Sequence, residues 1–454
     1  MISKIAISGF KSFHNFEMDL APFTLIAGAN SSGKSNLFDA LALISALANS
    51  SNLKTAFATQ RGELIELFTQ YAPDIYAEEM SFIVEVLLDR QITDSWGQTV
   101  DLDYTRLRYS LKIKRSTDEN SISSLRVLEE KLERILVKED AWIKHFVPGK
   151  KEHWRPKSIG RQLPFIQTKG DYLQLEEDAK GSRDKRFPLK QAQRTILSTV
   201  DTIDYPHALA LKEAFSYWQF LQLQPEELRK ATAKAAAQNV LGQQGQNMAG
   251  NLQRLINKSP KLLAKIRRNF NRFLPHFIDL EVVEDQLNKA YVIRLQDQNK
   301  QWYSAKLLSE GTLRILALCI MLADPMRQGL LCFEEPENGL HPARIKDMAD
   351  LLEKLTTDFK DKEEKLQQLI VNTHSPLFVQ EVYEKKSLGS LIGLARISSR
   401  LDIYQNKNVN FNHSQILPIN SPIRPLLKGV KAISLRELND YLGTRIIANE
   451  PKKH

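Results

Sequence analysis

The sequence predicts an α/β fold: a phosphate-loop sheet flanked by helices, joined to an antiparallel β lobe and a mainly helical insertion. Three observations lead there. The first is Gly28-Ala29-Asn30-Ser31-Ser32-Gly33-Lys34-Ser35, a G-x-x-x-x-G-K-S sequence. Residues 23–27 before it are apolar, as in a buried strand. After it, apolar residues at 37, 40, 41, 44 and 47 have helical spacing. The second is the alternation of apolar and polar residues over 81–89 and 103–114, which reads as antiparallel strands. The third is a pair of later apolar runs, 329–333 and 368–371, that read as buried strands ending in polar residues.

Each element follows in order. Residues 1–48 read as strand, turn, strand, phosphate loop and helix. Residues 139–200 are polar and punctuated by Pro148, Pro156, Pro164 and Pro188, so they are expected to be loop-rich. Residues 208–274 read as mostly helical, with Leu262, Leu263, Ile266, Phe270 and Phe273 forming a core-facing stripe. Residues 289–295 return to strand. The expected divisions are 1–138, the first half of a head; 139–285, a basic and mainly helical insertion; and 286–454, the second half. No heptad run is long enough for a coiled coil.

Composition excludes several classes. At 454 residues, 42% hydrophobic and 26% charged, the chain has an ordinary globular make-up. No apolar run approaches the roughly 20 residues of a membrane span. The N-terminus enters a strand rather than a signal peptide. Cys319 and Cys332 sit in apolar segments and show no zinc spacing, so reduced core thiols and a cytoplasmic location are expected. Net charge is +9, unevenly spread. From Arg229 to Arg272 there are ten Lys/Arg and no acid; a second patch, Lys144 to Arg161, interleaves Phe146 and Trp154. Both suit a DNA backbone, and both suit a solvated helix face.

The motifs specify chemistry. A strand, a glycine-bearing loop and a helix N-terminus make an anion cradle. Backbone N–H groups of Asn30, Ser31, Ser32, Gly33, Lys34, Ser35 and Asn36 surround phosphates, Lys34 reaches the outer ones, and the Ser35 hydroxyl ligates Mg²⁺. Ser309 and Gly311 open a strongly apolar helix at 313–323, a position suited to a second phosphate contact. A buried strand then ends in Glu334 and Glu335. The first can hold Mg²⁺ through water, and the second can position and polarise an attacking water. One helix later another strand ends in His374, where a parallel sheet gathers its active-site groups.

These pieces, in this order, resemble the ABC-type ATPase head of the SMC, RecF and OLD group. Ile7-Ser8-Gly9-Phe10-Lys11-Ser12-Phe13 resembles the group's start, and Leu308-Ser309-Glu310-Gly311-Thr312 its signature. Residues 334–342 resemble its fused Walker B motif and D-loop, and Thr373-His374-Ser375-Pro376 its switch histidine. The resemblance implies an ABC-type ATPase head that binds ATP and Mg²⁺ through Lys34 and Ser35. In it Glu334 is the Walker B acid, Glu335 the catalytic carboxylate and His374 the γ-phosphate sensor. It also implies that Ser309 and Gly311 contact ATP held by another subunit. ATP then joins a homodimer or higher homo-oligomer, and hydrolysis releases it. Gln60 and Gln70 are the candidates for the group's Q-loop.

Lys34 and Ser309 are about 275 residues apart, too far for a transporter ATPase, and the proline-broken insert disfavours an SMC arm. The residues after His374 carry no D-x-D cluster, so an OLD-type nuclease is not expected within them. Two hypotheses remain. One is an ATPase that senses or clamps DNA in defence or repair, with a separate nuclease or toxin as effector. The other is a nucleotide-gated scaffold that holds a partner protein, turns over little and does not bind DNA.

Overall fold

The protein was analysed as a computed structural model, which describes residues 1–117, 123–149, 151–156, 163–179, 183–237, 240–361, 365–385, 389–419 and 432–443. Its centre is a six-stranded sheet in the order Gln219–Leu221, Gly329–Glu334, Gln367–Thr373, Phe23–Gly28, Ser390–Tyr404, Lys407–Pro418. The first five strands pair in parallel, and the last closes an antiparallel hairpin. Parallel strands are covered on both faces, which is why these runs are continuously apolar rather than alternating. Ile26, Leu330, Cys332 and Ile370 face one core; Leu25, Leu331, Phe333, Leu369 and Val371 face the other.

On the first side pack helix Lys34–Asn49 and an eight-stranded antiparallel sheet. That sheet runs Lys185–Pro188, Tyr172–Leu175, Ile166–Lys169, Ser123–Arg134, Arg106–Thr117, Glu79–Leu87, Ile2–Ser8, Phe16–Asp19. On the second side lie helices Met248–Lys258, Pro260–Phe273, Glu310–Ala323, Ile345–Glu353 and Pro376–Lys385. This is the α/β head with an antiparallel lobe that the resemblance implies. Cys319 and Cys332 are both free and buried.

One expectation needs correction. The proline-punctuated stretch 139–200 is not all loop: it supplies three strands that extend the antiparallel sheet. Each has four residues, too few for alternation to show in sequence. The sheet therefore continues across position 138. Residues 208–274 are mostly helical, as expected, but the helices are interrupted. Helix Pro206–Ser216 ends before Gln219–Leu221, which joins the central sheet beside Gly329–Glu334. A three-residue strand whose partner lies so far along the chain is specified by tertiary packing and has no local signature.

A buried charge network locks the lobe. Arg106 is 2% exposed and donates from Nε and Nη2 to Asp140, each at 3.0 Å, with Nη1 on Ser3 Oγ and the Val86 carbonyl, each at 2.8 Å. Arg155 donates to the same carboxylate.

Candidate functional site

Strand register brings the functional segments together. Thr373 lies beside Ala27, and Glu334 beside Asn372, so the phosphate loop, both carboxylates and His374 emerge from one edge of the sheet. That edge, at the carboxyl ends of parallel strands, is where such folds bind ligands.

The glycines of the loop are required by close approach. Gly28 has φ +153°, and a Cβ there would lie 2.6 Å from the Ala395 carbonyl oxygen. Gly33 has φ +90°, and its Cβ would lie 1.9 Å from Ser414 Oγ. The hairpin strand Lys407–Pro418 thus seals one side of the loop. Ser414 Oγ bonds Ser12 Oγ at 2.7 Å, and Asn36 Nδ2 donates to that same Ser12 oxygen at 2.7 Å. Asn36 therefore braces the loop with its side chain. Asn30 and Ser31 are exposed at the tip. Ser32 is buried, and among the described residues its Oγ has no partner.

Lys34 is buried, with Nζ donating to the carbonyls of Gly28 and Ala29, each at 2.7 Å. Burial lowers its pKa, while Glu335 and Glu337 oppose the shift. Burial holds the Glu334 carboxyl above the ordinary range; Arg61 pulls it down, Asp39 and Glu335 push it up, and Ser35 pulls it down.

Glu335 has φ +45°, a strained value for a residue with a side chain. It is over-determined by its neighbours. Its N–H donates to the Asn372 carbonyl and to Asn372 Oδ1, each at 3.1 Å. Asn338 Nδ2 donates to Glu335 Oε2 at 2.6 Å, and His374 Nδ1 lies 3.1 Å from Oε1. The two residues assigned catalytic roles are thus in direct contact, and both are part-exposed.

Several neighbours escaped the sequence. Asn338 and Asn372 orient Glu335. Asp39 gathers Lys11 at 2.7 Å and Arg61 at 2.9 Å. Glu337 is buried and accepts from Thr373 Oγ1, and its Oε2 has no partner among the described residues. Glu337 and Asn338 stand inside the quoted Walker B segment, which was the available clue; Asn372 and Asp39 are single polar residues with no pattern.

Ser309 is exposed and caps helix Glu310–Ala323, accepting from the Thr312 N–H at 3.3 Å and bonding Thr312 Oγ1 at 2.8 Å. Gly311 is buried, and a Cβ there would lie 2.5 Å from the Gly339 carbonyl oxygen. It lets the helix meet the 335–340 loop closely. Among the described residues no hydrogen bond joins Ser309 to the phosphate loop of the same chain.

The pattern that defines the family described as "AAA domain, putative AbiEii toxin, Type IV TA system" matches residues 23–380. The chain belongs to this family. AAA-domain proteins are in general ATPases that use a nucleotide and typically Mg²⁺. None of the curated proteins matches the chain. Solved structures similar to it include an SMC head bound to the C-winged helix domain of ScpA, at 14% identity over 92% of this chain and 98% of that one, TM-score 0.47. An SMC head domain from Thermotoga maritima has 12% identity over 92% and 99%, TM-score 0.37. An Smc head with an extended coiled coil, bound to the C-terminal domain of ScpA and derived from Pyrococcus furiosus, has 13% identity over 92% and 96%, TM-score 0.43.

In this AAA-domain protein both Q-loop candidates donate to residues close by in sequence. Gln60 Nε2 donates to Thr59 Oγ1, and Gln70 Nε2 to the Pro73 carbonyl. Arg61, next to Gln60, is the side chain whose charge reaches Glu334. The basic segment is partly paired within the chain. Lys230, Lys234, Arg254, Arg267 and Arg272 each meet a carboxylate, so half of the ten cations are neutralised. In the second patch Phe146 and Trp154 are buried in a core; residues 150 and 157–161 lie outside the described residues. No helix among the described residues is long and apolar enough to cross a membrane.

Proposed function

We propose that the chain binds and hydrolyses ATP with Mg²⁺, and that ATP pairs two copies head to head to switch a separate effector protein. The observation that carries this is the Glu335 carboxylate, held between Asn338 and His374 beside the Lys34 and Ser35–Glu334 group. The loop fits a nucleotide: close contacts exclude a side chain at Gly28 and Gly33, and the buried Ser32 hydroxyl lacks a partner among the described residues. Backbone N–H groups of 30–36 and the Lys34 ammonium would hold the phosphates. Ser35 and Glu334 would hold Mg²⁺, which neutralises phosphate charge. Glu335 orients a water and accepts its proton, and His374 bridges that carboxylate to the outer phosphate.

Ser309 is exposed on the helix across the sheet from Lys34–Asn49, so in our reading a second chain supplies the signature contact. The effector would be a nuclease or toxin encoded separately, in antiviral defence or DNA repair. The family description, with its toxin and Type IV system, supports defence. A second reading, a scaffold for a protein partner without DNA, gains from the internal pairing of the Arg229 to Arg272 cations. Titration of labelled duplex DNA with ATP and Mg²⁺ at increasing salt separates the two. Affinity falling steeply with salt supports DNA contact; no binding at low salt leaves the protein partner. For the shared core, Lys34→Ala should abolish ATP binding by calorimetry, and wild-type affinity in that variant would overturn the assignment.

A further inference from the structure

Strand Phe23–Gly28 runs from the phosphate loop back to a cavity of about 1220 Å³, whose wall includes Phe23. At about 3.3 Å per residue, the strand separates the two sites by roughly 17 Å. Phe146, Val147 and Phe359 form the cavity floor. Phe359 anchors an aromatic cluster, with ring centroids 6.4 Å from Trp142 and 5.2 Å from Trp154. The floor is therefore apolar and backed by packed aromatic rings.

The rim is cationic. Lys144, Lys354 and Lys360 are exposed there, and among the described residues none has a carboxylate within ion-pair distance. Of the wall's three carboxylates, two are paired with one lysine. Asp350 and Glu353 hold Lys385 at 2.6 and 2.7 Å, and Asp358 accepts the Lys360 N–H at 3.0 Å. Exposed lysines alone usually mark a solvated face. Here they stand around an apolar cavity, and that combination selects a ligand. A nucleic acid would use the cations and leave the floor bare. An acidic peptide segment carrying an aromatic or aliphatic side chain uses both.

We propose that this cleft docks an acidic segment of a partner protein, its carboxylates on Lys144, Lys354 and Lys360 and an apolar side chain over Phe146 and Phe359. The site stands independently of head pairing. Short random peptides displayed on phage and selected on the full chain provide the test. Selected peptides should be rich in Asp and Glu with at least one Phe, Trp or Leu. A synthetic copy should bind the Lys144→Glu, Lys354→Glu, Lys360→Glu triple variant at least about tenfold more weakly by fluorescence anisotropy. The corresponding triple Gln variant should lie between them; these lysines are exposed, and circular dichroism checks that both variants fold. Selection without acidic enrichment, undiminished binding to the triple variants, or displacement by a short oligonucleotide would overturn the proposal.

Discussion

At the scale of single residues, the site depends on close approach and on one oriented carboxylate. A Cβ at Gly33 would collide with Ser414 at a backbone angle that side chains disfavour. Gly33→Ala should therefore displace the loop and weaken ATP binding about tenfold or more, as measured by calorimetry. Glu335→Gln preserves size and removes the proton acceptor. Turnover should drop by about 10²–10⁴-fold, while ATP affinity stays within about threefold of wild type. Retained turnover would shift the catalytic role to another group, with Glu337 the nearest buried carboxylate. The loop glycines, Lys34, Ser35, Glu334, Glu335 and His374 were legible because each sits at a fixed spacing beside a strand or helix end. Asn372, Asp39 and Arg61 were not: the fold alone brings them to the site. Gly311 was legible as a position; the structure shows its contact with Gly339.

At the scale of elements, stability rests on the union of the antiparallel lobe with the segment that follows it. Asp140 is buried and answers both Arg106 and Arg155. Asp140→Ala leaves Arg106 only the more distant Glu85 carboxylate, 3.9 Å away, and should cost about 3 kcal/mol in denaturant unfolding, since removing one side of a buried pair leaves the other charge poorly matched. An effect below about 1 kcal/mol would mean that water reaches Arg106 readily. Glu130 fastens strand Ser123–Arg134 to the N–H groups of Ile196 and Leu197 at 2.6 and 2.9 Å. Burial pushes its carboxyl from the ordinary 4.5 up to about 7, against those hydrogen bonds. Between these values the folded chain holds the extra proton, so this group's contribution to stability is full below about 4.5 and is lost as pH rises through about 7. Urea midpoints measured across that window should fall more steeply in wild type than in Glu130→Gln. Equal slopes would contradict the shift. Long alternating strands such as Glu79–Leu87 announced themselves in sequence. The four-residue strands at 166–188 did not, because their pairing is set by neighbours rather than by pattern.

At the scale of the whole molecule, one chain carries a phosphate loop with its carboxylates and, on the helix across the same sheet, an exposed Ser309. The parallel order of the central sheet explains why segments quoted from far apart in sequence meet at one edge. It also explains why the sequence identified a phosphate-loop site but not its use: surfaces such as the cation-rimmed cleft form from residues that no motif links. If Ser309 completes the site of a second copy, Ser309→Arg should bind ATP normally yet fail to associate. The most direct test is light scattering of Glu335→Gln with and without ATP and Mg²⁺. The account predicts a nucleotide-dependent rise to at least twice the 51.9 kDa chain mass, abolished when Ser309→Arg is added. A mass unchanged by ATP, in protein shown to bind it, would contradict head pairing.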